Sequence, residues 1–122
     1  MSGIECVADT NILIYLLEGR STMDPYIQTI FAASVVSEIE LMGWYKIDEA
    51  QKEILSKLID GLYMLELLPA IKQIAIDIKQ HNKIKLPDAI IAATAIHLDV
   101  PLLTADRGFD KIKDLNVLII PV

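Results

Sequence analysis

Ile4-Glu5-Cys6-Val7-Ala8-Asp9-Thr10-Asn11-Ile12-Leu13-Ile14-Tyr15-Leu16-Leu17 is the stretch on which the reading of this chain turns. Its first part, Ile4–Ala8, is short, mostly apolar and closed by an acid, as a buried strand would be. A helix over Asn11–Leu17 follows at once, and Gly19-Arg20-Ser21 breaks it. A strand that runs straight into a helix is the opening of an α/β unit.

The rest of the chain repeats the alternation. Met23–Ile30 reads as weakly helical, opened by Asp24-Pro25 as an N-cap and first-position pair. Phe31–Val35 is a second strand. Ser37-Glu38-Ile39-Glu40 has capping-box spacing, which predicts a helix from there to about Lys46 with Glu40 in its first turn. Asp48 caps another helix, with Ala50, Ile54, Leu58 and Leu62 as its apolar face. Tyr63–Leu67 is a third strand, Pro69 introduces a helix over Ala70–Lys79, and Asn82–Leu86 is a basic loop. Pro87 begins a helix in which Thr94 and His97 are the only polar residues between Ala89 and Leu98, so that helix is buried. Pro101–Thr104, Gly108–Lys113 and Val117–Ile120 read as a strand, a short helix and a last strand. The expectation is one α/β domain over residues 1–122, with a central, mostly parallel sheet of about four or five short strands flanked by helices on both faces.

Composition narrows the functional classes. Hydrophobic residues make up 53% of the 122, and mean hydropathy is +0.44. The apolar runs Ile12–Leu17 and Val117–Val122 fall far short of the roughly 18 residues of a membrane span. Met1-Ser2-Gly3-Ile4-Glu5 lacks the basic-then-apolar order of a signal peptide. A cytoplasmic protein without a membrane segment is expected, its apolar surplus buried against another chain. The single cysteine, Cys6, excludes an intrachain disulfide and reads as a small buried hydrophobe. A net charge of −6 argues against a broadly basic nucleic-acid binder. The cations are nevertheless clustered: Lys79, Lys83 and Lys85 precede Asp88, and Arg107, Lys111 and Lys113 follow Asp106. Around an acidic cleft they would hold a polyanion; otherwise they are a solvated face.

Four acids, Asp9, Glu40, Asp88 and Asp106, each sit where an apolar element ends or begins. The carboxyl ends of parallel strands share one edge, and helices beside that edge bring their ends to it. Two full charges about 4 Å apart repel by on the order of 4 kcal/mol at an effective dielectric near 20. Acids gathered there must be protonated, kept apart, or neutralised by a hard cation such as Mg²⁺ or Mn²⁺; the cation is the reading carried forward. Each acid also has a local reading. Asp9 is placed to cap a helix, Glu40 to close a capping box, Asp88 to meet a helix dipole, and Asp106 to make a turn. Taken singly these suffice, but they do not explain why four such places share one sheet edge.

Other chemistries lack their residues. His81 and His97 have no metal-ligand spacing and carry no Ser-His-Asp signature. There is no Gly-rich phosphate loop, and Asp9-Thr10-Asn11 lacks the second aspartate of a phosphoaspartate phosphatase. Trp44 and Tyr45 either stack on bases or are buried in the core or at a dimer contact.

Four stretches, in order, resemble the motifs of the PIN domain family. They are Ala8-Asp9-Thr10-Asn11 with the helix behind it, Ser34-Val35-Val36-Ser37-Glu38-Ile39-Glu40-Leu41, Leu86-Pro87-Asp88-Ala89-Ile90-Ile91-Ala92-Ala93-Thr94-Ala95, and Leu103-Thr104-Ala105-Asp106-Arg107-Gly108-Phe109-Asp110. In the second, Glu40 rather than Glu38 takes the acidic position, and residues 19–31 are the least family-like. The VapC-like toxins, metal-dependent endoribonucleases of toxin–antitoxin pairs, are the most similar subgroup. The resemblance implies a homodimer, a small VapB-like antitoxin that occludes the site, and RNA as substrate. It makes Asp9, Glu40, Asp88 and Asp106 the metal-site acids, with Asn11, Thr104 and Ser37 supporting them and Asp110 reaching the ion through water. Water activated by Mg²⁺ or Mn²⁺ would then hydrolyse a phosphodiester, leaving a 5′-phosphate and a 3′-hydroxyl. Lys83, Lys85, Arg107 and Lys111 are the candidates for holding flanking phosphates of the RNA. Two alternatives remain open: a non-catalytic α/β interaction module, and a DNA-directed nuclease of the same fold.

Overall fold

The computed structural model describes residues 3–121 and places β1 (Cys6–Ala8), buried throughout, at the centre of a five-stranded sheet. On one side lie β2 (Phe31–Ser34) and then β3 (Tyr63–Leu65); on the other lie β4 (Leu102–Thr104) and then β5 (Val117–Ile119). All four pairings are parallel. The chain builds outward from β1 to β3 and then crosses back to β4. The strand order therefore reverses between β1 and β4, and crevices at the carboxyl ends of strands open at such a point.

Side chains alternate across the sheet with the period of two that strands impose. Val7, Ala32 and Leu102 face one core; Cys6, Ala8, Phe31, Ala33 and Leu103 face the other. The first core is closed by α5 (Leu86–Leu98) and by α4 (Pro69–His81), which packs along it. Residues 89–95 of α5 are all buried, four of them alanines, as expected of a helix with an apolar circumference. Thr94 satisfies its hydroxyl on the Ile90 carbonyl at 2.8 Å. The second core is closed by α1 (Thr10–Glu18), with Leu58 of α3 (Glu49–Asp60) packed against it. Helices thus cover both faces, as expected. Cys6 is buried, and its thiol is pushed up to about 12 by that burial and then by the Glu5 charge, so it packs as an inert hydrophobe.

Three local expectations are corrected. The helix α2 (Val35–Met42) starts before Ser37, because β2 runs directly into it. Ser34 is its N-cap, and its hydroxyl accepts from the Val36 N–H at 3.1 Å. Ser37 is the third helical residue and Glu40 the sixth, so no Ser37–Glu40 capping box forms and Glu40 lies in the second turn. In α3 the Asp48–Gln51 capping box is present, but the helix is rotated from the expected face: Leu55 is buried, while Ala50 and Ile54 are exposed. Asp24-Pro25 do not open a helix but fall inside a 3₁₀ turn, Ser21–Tyr26, squeezed between the end of α1 and the entry to β2. The strands are also shorter than expected: β1 is Cys6–Ala8, β2 Phe31–Ser34 and β3 Tyr63–Leu65.

The capping correction is testable. Ser34→Ala should destabilise the protein by about 0.5–2 kcal/mol and speed amide exchange at Val36, whereas Ser37→Ala should leave Val36 exchange unchanged. Faster exchange at Glu40 in the Ser37 variant, with Val36 exchange unmoved by Ser34→Ala, would restore the capping box.

Candidate metal centre

Asp9 leaves the end of β1 at the reversal point and is only 6% exposed. Its Oδ1 accepts from the Thr10 N–H at 2.7 Å, and its Oδ2 accepts from the Thr104 hydroxyl at 2.7 Å. Thr104, the last residue of β4, is fully buried, and its hydroxyl oxygen also accepts from the Asp106 N–H at 3.0 Å. One hydroxyl therefore ties the end of β4 to the acid at the end of β1 and to the turn carrying the next acid. Asp106 in turn caps the 3₁₀ turn Arg107–Lys111, accepting from the Gly108 N–H at 2.8 Å.

Glu40 is fixed from the other side. The Thr10 hydroxyl donates to Glu40 Oε1 at 2.9 Å and lies 2.7 Å from the Ser37 hydroxyl. A threonine hydroxyl has one proton. With that proton on Glu40, Ser37 is the donor to Thr10, and a two-hydroxyl chain runs from α2 through α1 back to α2. Thr10, which the motif reading passed over, thus contacts both acids, Asp9 through its backbone and Glu40 through its side chain. Its position between Asp9 and Asn11 was the available signal. Asp88 is the third residue of α5 and partly buried.

The four acids line one cavity of about 770 Å³ together with Asn11. Electrostatics agree with the crowding. Burial pushes the Asp9 carboxyl above its ordinary value; the hydrogen bonds from Thr104 and Thr10 oppose this, and the charges of Asp106 and Glu40 add to it. Burial likewise raises Asp88, reinforced by the charges of Asp9, Asp106 and Glu40 against a smaller opposing effect of Lys85. Among the described residues none of the four forms an ion pair.

The donor set is all carboxylate oxygen and carries a surplus of negative charge, which is the chemistry that suits Mg²⁺ or Mn²⁺. The acids are gathered but not closed: among the described residues no three potential ligands already form a metal-holding group. Each Asp9 oxygen accepts one hydrogen bond and keeps lone-pair capacity for an ion.

The supporting residues fall into two groups. Thr104 and Ser37 sit behind the cavity and are buried, each with its hydroxyl on another member of the cluster. Lys83, Lys85 and Lys111 line an adjoining cavity of about 240 Å³, which also touches Asp88 and Asp106. The Lys111 ammonium donates to the Lys83 carbonyl at 2.7 Å, fixing the loop before α5 to the turn after β4. Arg107 and Asp110 are exposed and line neither cavity. His81 is exposed on α4, bonded to the Asp77 carbonyl, and His97 is exposed near the end of α5; neither lines a cavity. Trp44 and Tyr45 are not in the core: they are 47% and 86% exposed, and Trp44 lines the large cavity.

The PIN domain family model matches residues 6–115. No curated protein matches the chain by sequence. Among solved structures, a chain of the VapBC2 complex of Rickettsia felis bound to a promoter DNA fragment superposes with a TM-score of 0.80 at 18% identity, over 94% of this chain and 98% of that one. A toxin–antitoxin complex from Klebsiella pneumoniae gives 0.79 at 28% identity, over 93% and 96%. VapBC-1 from nontypeable Haemophilus influenzae gives 0.78 at 23% identity, over 93% and 96%. The resemblance read from the four motifs, VapC-like form included, agrees with both comparisons. With a family model that spans nearly its whole length, the chain belongs to the PIN domain family.

Proposed function

We propose that the protein is a Mg²⁺- or Mn²⁺-dependent endoribonuclease of the VapC-like toxin type, hydrolysing RNA phosphodiester bonds at the acid cluster. The observation that carries the reading is the opening of Asp9, Glu40, Asp88 and Asp106, from separate elements, onto one cavity at the switch point of a parallel sheet. A merely structural set of caps has no need to share a cavity. Choice of RNA over DNA follows the family resemblance. So do a homodimer and a small antitoxin partner, and the solved neighbours, being toxin–antitoxin complexes, support the last. A cytoplasmic location is proposed instead from the lone cysteine.

In this reading Asp9, Glu40, Asp88 and Asp106 hold the ion, with Asn11 beside them; Asp110, exposed and outside both cavities, would reach it only through water. When bound, a divalent ion supplies a water of lowered pKa and stabilises charge on the phosphoryl and leaving oxygens. The chain's own residues do the positioning. Thr104 and the Thr10 backbone fix the Asp9 carboxylate, and the Ser37–Thr10 hydroxyl chain fixes Glu40. Lys83, Lys85 and Lys111, with Arg107 farther out, hold the phosphates that flank the cut. Labelled RNA and DNA, incubated in parallel with and without Mn²⁺, test the proposal. Metal-dependent RNA products with 5′-phosphates support it, and intact RNA at every metal concentration refutes it.

Asp9→Asn should abolish cleavage yet steady the metal-free protein. An aspartate raised in the folded state favours folding only while protonated. Metal-free stability should therefore fall as pH rises from about 4 through the elevated value. Urea titrations in EDTA should show a shallower fall in the variant and a higher midpoint at neutral pH. A lower midpoint would mean that the lost hydrogen bond from the Thr104 hydroxyl, which an amide nitrogen cannot accept, outweighs the relieved repulsion.

Mg²⁺ or Mn²⁺ should stabilise the wild type by about 2.7 kcal/mol at a hundredfold excess over the dissociation constant. Calorimetry with and without EDTA checks this, and an identical trace for both would count against a metal site. Lys83→Ala with Lys85→Ala should weaken RNA binding and flatten its dependence on salt. The change keeps the Lys83 carbonyl that anchors Lys111. An unaltered salt slope returns both lysines to a solvated face.

A further inference from the structure

The two cavities share only Asp88 and Asp106, so these two acids stand at the junction of a basic chamber and a largely apolar one. On one side is the small basic chamber. On the other, the large cavity, which Asp9, Glu18 and Glu40 also line, has apolar walls of Ile14, Leu17, Leu41, Ile47, Ile54 and Leu55, with Trp44 among them. Its volume, about 770 Å³, falls within the roughly 300–1,000 Å³ of sites that take small organic groups.

The turn that carries Trp44 is fixed by its backbone. Gly43 ends α2 with its N–H on the Ile39 carbonyl at 2.8 Å, and a Cβ at this position would sit 2.5 Å from that oxygen. Only glycine fits the turn. The Trp44 carbonyl then accepts from the Ile47 N–H at 3.0 Å. The loop is pinned on both sides while its large aromatic side chain stays 47% exposed on the chamber wall. Two amides border the same space: Asn11, and Gln51, whose Oε1 is used on the Asp48 N–H, leaving its NH₂ to donate.

One nucleotide presents these same two chemistries in adjacent parts: an anionic phosphate and a flat base with apolar faces and a polar edge. We propose that the chamber walled by Trp44 is a nucleobase-stacking subsite. The cleaved strand is then held as an unpaired nucleotide, its base against Trp44, its neighbouring phosphate among Lys83, Lys85 and Lys111, and the scissile phosphate at the acids between them. Inside a duplex both faces of a base are covered by stacking and its edge by pairing, so only an unstacked, unpaired base can enter the chamber. Stacking tolerates any base, so sequence preference at this position would come from Asn11 and Gln51. The proposal rests on the nuclease reading and adds to it a base-binding subsite at Trp44.

Trp44 is the only tryptophan of the chain, so its fluorescence reports the subsite directly. The probe is a short single-stranded oligoribonucleotide added with Mg²⁺ to full-length Asp9→Asn protein, alongside a duplex and copies with an abasic nucleotide walked along the strand. The single strand should quench Trp44, the duplex should not, and one abasic position should abolish the quench. Adding Trp44→Ala should weaken binding about tenfold, the scale of losing one stacked base, and Trp44→Phe should recover most of it. If the strand binds with its salt dependence intact but leaves Trp44 fluorescence and the Trp44→Ala affinity unchanged, the chamber belongs to a protein partner and the subsite is overturned. If wild type and variants alike bind and cut no RNA, the nuclease reading falls first.

Discussion

A carboxylate only 6% exposed must be hydrogen-bonded or stay protonated, and Asp9 takes one bond on each oxygen, from the Thr10 N–H and from the Thr104 hydroxyl. Hydrogen bonds to charged groups contribute about 1.5–3 kcal/mol each, enough to offset part of the desolvation. They do not cancel it, for the carboxyl remains above its ordinary value. The second bond spans the place where the strand order reverses. Asp9 is thereby locked to the end of β4, and the crevice between β1 and β4 has an acid built into its floor. Every other site residue is placed relative to that one: Asp106 through the shared Thr104 hydroxyl, Glu40 through Thr10, and Asp88 by the buried helix packed beneath the sheet.

From this anchor follows a division of the surface. The mutual repulsion of the acids is not relieved by any ion pair among the described residues, so the cluster is left with negative charge to share with a cation. The basic loop before α5 and the turn after β4 are tied by the Lys111 bond to the Lys83 carbonyl, which sets three lysines beside the acids without pairing them. Opposite them, α1, α2 and α3 leave an apolar chamber unfilled. A polyanion with a planar apolar group on each unit can use both sides at once.

Much of this was legible in the residues. Alternating strand and helix signals predicted the parallel sheet, and the apolar circumference of residues 89–98 predicted a buried helix. The acids could be picked out because each closed or opened an element. The failures have a common cause. Ser34 and Ser37 are both able to cap a helix, and the choice falls to Ser34 because β2 pairs with β3 as far as Ser34↔Leu65. The apolar spacing Ala50, Ile54, Leu58 and Leu62 is a sound helical stripe, yet Ile54 is turned out onto the cavity because Leu55 takes the core position. Of the places open to Trp44 (a base, the core or a dimer contact), the core is ruled out by its 47% exposure, and nothing in Gly43-Trp44-Tyr45 says which way a pinned turn will aim.

The amino-acid order alone determined which elements form, in what sequence, and which carboxylates stand at their ends, because caps, breakers and periodicity act over a few residues. Only the tertiary structure decided that Thr10 would join Asp9 to Glu40, that Thr104 would reach across 95 positions to Asp9, and that Asp88 and Asp106 would divide a largely apolar chamber from a basic one. Those outcomes depend on strand register and helix rotation, which are set by packing between segments far apart in the chain and leave no mark on any short stretch of it.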